Sequence, residues 1–149
     1  MSLKDSINTD LKEAMKQKDK VRLSTIRSIR ALILEFEKSG KGNELKKEDE
    51  IKMLSTAVKK RREAIEQFEN AGRNELADKE KQELEILLSY MPKQLNDDEI
   101  LEKVKLYAKE VGAVSKVDFP KLMPVVMKNL KGQADGNTIR KFVEKVLGE

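Results

Sequence analysis

Apolar residues in this chain recur every three or four positions, the period of one helix face. Leu3, Ile7, Leu11, Ala14 and Met15 form a first stripe, and Ser2 with Asp5 three residues on makes a variant of the capping box. Residues 16–20 are a polar break, and Asp19 is placed to cap a second helix. In that helix Leu23, Ile26, Ile29, Ile33 and Phe36 form a broad apolar face, with Leu32 and Leu34 beside it. Arg22, Arg27 and Arg30 lie outside this face or on its edge, and residues 40–43 read as a flexible loop. A third helix begins near Lys47, with acids in its first turn where the helix dipole favours them. Ile51, Leu54, Val58, Ile65 and Phe68 fall on a heptad seam, and Arg61 takes one slot of that seam. An arginine there either reaches out from the edge or pairs with an acid. Residues 71–72 close the third helix. A fourth covers residues 73–91 through Leu76, Leu84, Leu87, Leu88 and Met91, until Pro92 stops it.

Four amphipathic helices joined by short turns pack best as a bundle, so residues 1–91 are read as an N-terminal four-helix bundle-like domain. Residues 91–96 are the boundary, and residues 96–149 form a small three-helix tail. Asn96 and Glu99 make a capping box ahead of Ile100, Leu101, Val104, Tyr107, Ala108 and Val111, with Gly112 as the stop. Ser115 or Asp118 starts the sixth helix, which contains Leu122, Val125, Val126 and Leu130. Pro120 suits a first turn, whereas Pro124 predicts a late start or a kink. The last helix runs from about Gly136 to Leu147.

Composition agrees with this all-α reading. Charged residues are 39% and aromatic residues 4%, with no tryptophan and little glycine or proline. The net charge of +4 is interleaved with acid, which permits nucleic-acid binding without demanding it. There is no cysteine and no histidine. This removes thiolate nucleophiles, histidine bases and zinc sites built on either residue, and no cofactor or metal is expected. No apolar run reaches the length of a membrane span and no signal-peptide core is visible, so a cytoplasmic protein without a membrane partner is expected.

Two places can carry binding chemistry. Residues 127–136 join two glycines, two lysines and a helix start. Lys128 and Lys131 lie one turn apart at the end of an apolar run, Gly132 follows where helices stop, and Asp135 stands at an N-cap position. Backbone N–H groups at the new helix N-terminus, with two lysines nearby, can receive a phosphate. The plain alternative is a helix-helix turn whose aspartate competes for those same N–H groups. The second place is the basic run Lys59, Lys60, Arg61 and Arg62. It is either a solvated face, partly satisfied by Glu63 and Glu66, or a phosphate-tracking patch with Arg27 and Arg30. Paired acids such as Asp97 and Asp98 sit at helix starts, which already explains them. No nucleotide-binding loop, nucleophile elbow or calcium loop is present.

Residues 61–76 (Arg-Arg-Glu-Ala-Ile-Glu-Gln-Phe-Glu-Asn-Ala-Gly-Arg-Asn-Glu-Leu), with Lys79, Glu80, Glu83, Leu84 and the block Tyr90 to Leu95, closely resemble the small bacterial proteins of the YqeY type. The resemblance spans essentially the whole chain. Residues 126–135 also resemble the tail domain of the B subunit of the tRNA-dependent amidotransferase, for which the GatB/YqeY family is named. The resemblance implies a helical bundle followed by a three-helix tail that contacts tRNA. Carried over by position, Lys128, Lys131, Gly132 and Ala134 would face the tRNA. Pro120 and Pro124 depart from the tail pattern, which has small residues there. A binding protein with tRNA as partner is therefore the favoured expectation, with Arg61 and Arg62 as further phosphate contacts. The alternatives are a part in glutamine-dependent tRNA amidation, a carbon–nitrogen ligase reaction in translation, and a protein–protein adaptor. An amidotransferase or an aminoacyl-tRNA synthetase is the protein partner such roles imply. No residue signature supports an independent enzyme.

Overall fold

The computed structural model describes residues 2–40 and 44–148. Among these residues there are seven α-helices and no strand. The expected loop at residues 40–43 lies outside the described residues apart from Gly40. The chain divides into two compact units, Met1–Met91 and Pro92–Glu149.

The first unit holds α1 (Leu3–Gln17), α2 (Lys20–Lys38), α3 (Lys47–Asn70) and α4 (Asn74–Ser89). Ser2 caps α1 by accepting the Asp5 N–H, and Asp19 caps α2 by accepting the Arg22 N–H. Between the two helices Lys18 adopts a left-handed conformation, φ 56°, which turns the chain within a few residues. α1 packs on α2, α3 on α4, and α2 on α4. The core they enclose is Leu3, Ile7, Ala14, Ile26, Ile29, Ile33, Leu54, Val58 and Leu87. The periodic stripes are thus mostly buried, but Met15 and Leu76 stay 55% and 40% exposed. On α4 the buried positions are Ala77, Glu83 and Leu87, and Leu76 lies one residue, about 100°, off that line.

Buried polar groups fasten the elements where apolar contact runs out. The Glu50 carboxylate, in the first turn of α3, accepts the N–H of Leu3 at 3.0 Å and so occupies a free donor at the start of α1. Thr25 is fully buried and returns its hydroxyl to the Val21 carbonyl at 2.9 Å. The Tyr90 hydroxyl donates to the Asp10 carboxylate across 80 residues of sequence. Burial and that bond push the Tyr90 phenol well above its ordinary range, so the donor is kept even in alkaline solution.

The second unit holds α5 (Asp97–Val111), α6 (Phe119–Asn129) and α7 (Gly136–Val146). Asn96 and Glu99 form the expected capping box, and Gly112 closes α5 at φ 71°. Ser115 and Asp118 both serve the next start: Ser115 caps a single 3₁₀ turn, and Asp118 is the residue before α6. α6 does not start late but runs through Pro124, the interior position at which a kink is the alternative expectation. Pro124 deprives only the Pro120 carbonyl of its helical donor, and Pro120 is exposed, where water can take the donor's place. The core is built from Ile100, Val104, Leu122, Val126, Leu130, Ile139, Phe142, Val143 and Leu147, with Ala108 and Ala113 at its edge.

Candidate nucleic-acid interface

The α6–α7 connection is short because each end is locally determined. α6 ends at Asn129, Gly132 takes φ 79°, and the Gln133 N–H returns to the Leu130 carbonyl at 2.9 Å. Asp135 then caps α7, its Oδ2 accepting the N–H of Asn137 at 3.2 Å and of Thr138 at 3.4 Å. The turn is anchored from the far side by residues 92–95. Gln94 Nε2 donates to the Gly132 carbonyl at 2.6 Å and to the Pro92 carbonyl at 2.9 Å. The Leu95 N–H donates to the Gln133 carbonyl at 2.9 Å.

These bonds orient the loop. In a trans peptide the C=O and the following N–H point in opposite directions. Because the Gln133 carbonyl is aimed at Leu95, the Ala134 N–H points away from the anchoring segment. Among the described residues no acceptor is found for the N–H of Lys131, Gly132 or Ala134. Lys128 and Lys131 are exposed, and among the described residues no carboxylate is within ion-pair distance of either. At the start of α7 the Asn137 and Thr138 N–H groups are already engaged by Asp135, which leaves the lysines and the loop amides as the groups here without a partner among the described residues.

The other cationic candidate is arranged differently. Arg61, on α3, directs Nε toward Glu83 Oε2 at 3.1 Å and Glu80 Oε2 at 3.4 Å, both on α4. Neither contact has hydrogen-bond geometry, so the attraction is Coulombic. The Glu83 side chain is 8% exposed. Burial raises its pKa above the ordinary carboxylate range, Arg61 opposes that shift, and the neighbouring Glu80 carboxylate adds to it. Arg61 is thus paired, the outcome its seam position demands, whereas Arg62 is exposed. A cavity of about 570 Å³ beside them, between α2 and α3, has Leu32, Phe36 and Met53 along its wall. Its rim mixes Glu35 and Asp49 with Lys52 and Lys60, which gives an anion no field of single sign.

The structure therefore places Lys128 in the last turn of α6 and Lys131, Gly132 and Ala134 in the loop that follows, all in the second unit, and leaves Arg61 and Arg62 in the first. Local pattern did not disclose Gln94 as the residue that fixes the loop, because its contact crosses 38 residues. The only signal for it was its place in the Tyr90–Leu95 block.

A family model described as Yqey-like protein matches residues 4–147. A curated relative from Pyrenophora tritici-repentis, altered inheritance of mitochondria protein 41, mitochondrial, is 32% identical over 95% of this chain and 79% of its own length. The protein of that name from Clavispora lusitaniae is 34% identical over 75% of this chain and 66% of its own length. In Lachancea thermotolerans the values are 31%, 58% and 46%. These relatives are named as mitochondrial proteins, which overturns the expectation of a cytoplasmic protein. A lack of cysteine reports at most on redox conditions and carries no address. With the family model covering nearly every residue, the chain belongs to the YqeY-like protein family.

Proposed function

We propose that this protein binds RNA, with tRNA as the favoured class, and that the α6–α7 loop of its second unit receives backbone phosphates. The observation that carries the reading is the orientation of the loop. Its carbonyls at Gly132 and Gln133 are turned toward Gln94 and Leu95, while Lys128, Lys131 and the Ala134 N–H remain open to an anion. Two ammonium groups and an outward amide suit a phosphate oxygen, and none of them reads a base edge. The contact is therefore with the RNA backbone and independent of sequence. The likeness of residues 126–135 to the amidotransferase tail supports tRNA over other RNAs. In this reading Arg62 is an auxiliary phosphate contact, and Arg61 belongs to the packing of α3 on α4.

The test is filter binding of deacylated and aminoacylated tRNA pools at low and moderate salt. Binding at micromolar protein that weakens as salt rises is the expected result. No salt-dependent binding to either pool would remove the RNA reading.

A further inference from the structure

The turn between α5 and α6 holds two valines in solvent. Val114 and Val117 are 84% and 85% exposed, far more than any other large apolar residue among the described residues. The turn around them is strongly built. Gly112 reverses the chain, the Ala113 N–H returns to the Ala108 carbonyl at 2.8 Å, and Ala113 is buried at the core edge. Asp118 Oδ2 accepts the N–H of Val114 at 2.8 Å and of Ser115 at 3.2 Å. Those bonds use backbone groups and the side chain of Asp118. The valine side chains take no part, so the fold does not explain why these positions are aliphatic.

Two lysines stand at the turn. Lys116 stands between the two valines, and the Lys121 ammonium lies against Gly112, 3.8 Å from where a Cβ there would be. Residues 112–121 hold two lysines, Lys116 and Lys121, and one acid, Asp118, which is engaged inside the turn. An exposed aliphatic turn with two lysines beside it suits a surface that offers hydrocarbon beneath anionic headgroups. It does not suit an RNA base, because valine has no π-face for stacking.

We propose that residues 114–117 are a membrane-contacting tip, which places Val114 and Val117 in the interface of an anionic bilayer while Lys116 and Lys121 meet its headgroups. The expectation of no membrane partner rested on the missing span. No helix among the described residues is long and apolar enough to cross a membrane, and a peripheral contact needs none. The tip precedes α6 and the phosphate loop follows it, so the two sites lie about 16 Å apart along an 11-residue helix. The inference does not depend on the RNA reading.

Co-sedimentation of the full chain with vesicles tests it. Phosphatidylcholine vesicles containing phosphatidylglycerol should carry the protein down, and phosphatidylcholine alone should not. Val114→Ser with Val117→Ser should lower the partition coefficient about tenfold, without changing the melting temperature. Lys116→Glu or Lys121→Glu should each lower it about fivefold. The chain has no tryptophan, so Val117→Trp supplies a single tryptophan whose fluorescence should shift to the blue on binding. Failure of the parent to sediment with the anionic vesicles would overturn the proposal. So would a double serine variant that sediments as the parent does. Loss of binding in Lys128→Glu with Lys131→Glu, with the serine variant unaffected, would place the lipid contact at the other end of α6 and equally overturn it.

Discussion

Arg61 and Lys131 began as equivalent candidates, basic residues beside motifs of the same family, and the fold treats them in opposite ways. Arg61 is drawn against Glu80 and Glu83, and its charge is consumed in joining α3 to α4. Lys131 is exposed, has no acid within ion-pair distance among the described residues, and stands beside a loop whose carbonyls are turned away. A cation that is neutralised inside the protein has little attraction left for a phosphate outside it. Placement relative to acids, rather than local density of basic residues, decides which charge stays available to an anion outside the protein.

Charge reversal should break this comparison most strongly at Arg61. Arg61→Asp would put three carboxylates together, and its stability should fall by roughly 3–5 kcal/mol in denaturant unfolding. Arg61→Leu keeps apolar bulk in the seam and should be tolerated better than Asp or Ala. Equal melting of all three variants with the parent would mean that the ion pairs do not hold the helices.

At the other site the sensitive residue is neutral. Gln94→Ala removes the donor to the Gly132 carbonyl, with an expected loss of about 1 kcal/mol and faster exchange of the hydrogen-bonded Gln133 and Leu95 amides. RNA affinity should fall several-fold although no cation is lost. Unchanged exchange in that loop would show that Gln94 does not set its geometry.

The smallest effect is a change of slope with pH. Glu83 holds its proton more tightly in the folded chain than in the unfolded one, chiefly because it is buried. In the window above the ordinary carboxylate range the folded state then binds more protons than the unfolded state. Stability contributed by Glu83 is therefore complete in acid and is lost as pH rises through that window. Glu83→Gln should flatten this decline, measured as melting temperature against pH. An unchanged slope would indicate that the acid is not burdened by burial.

What could be read from the sequence was what depends on neighbours. The caps at Ser2, Asp19, Asn96 and Asp135 stand where expected, because each carboxylate, amide or hydroxyl acts on an N–H two or three residues away. The left-handed stop at Gly112 is similarly local. Leu76 escaped because a stripe gives the face of a helix but not how wide a neighbour covers it. Glu50 holding Leu3, Tyr90 holding Asp10 and Gln94 holding Gly132 were invisible, since those pairs are 47, 80 and 38 residues apart. At the candidate site the lysines and the glycine were legible. The direction of the loop's carbonyls, on which its use depends, was not.

The central claim is that Lys128 and Lys131 are free to take phosphate and that Arg61 is not. The most direct measurement is the salt dependence of tRNA affinity, for the parent, for Lys128→Glu with Lys131→Glu, and for Lys12→Glu with Lys16→Glu in the first unit. Each lost phosphate contact should lower the slope of log affinity against log salt by roughly 0.7–0.9, so the loop variant should lose about 1.5 and bind much more weakly. The control pair should keep the parent's slope, and both variants should melt as the parent does. A loop variant with the parent's slope and affinity would contradict the account.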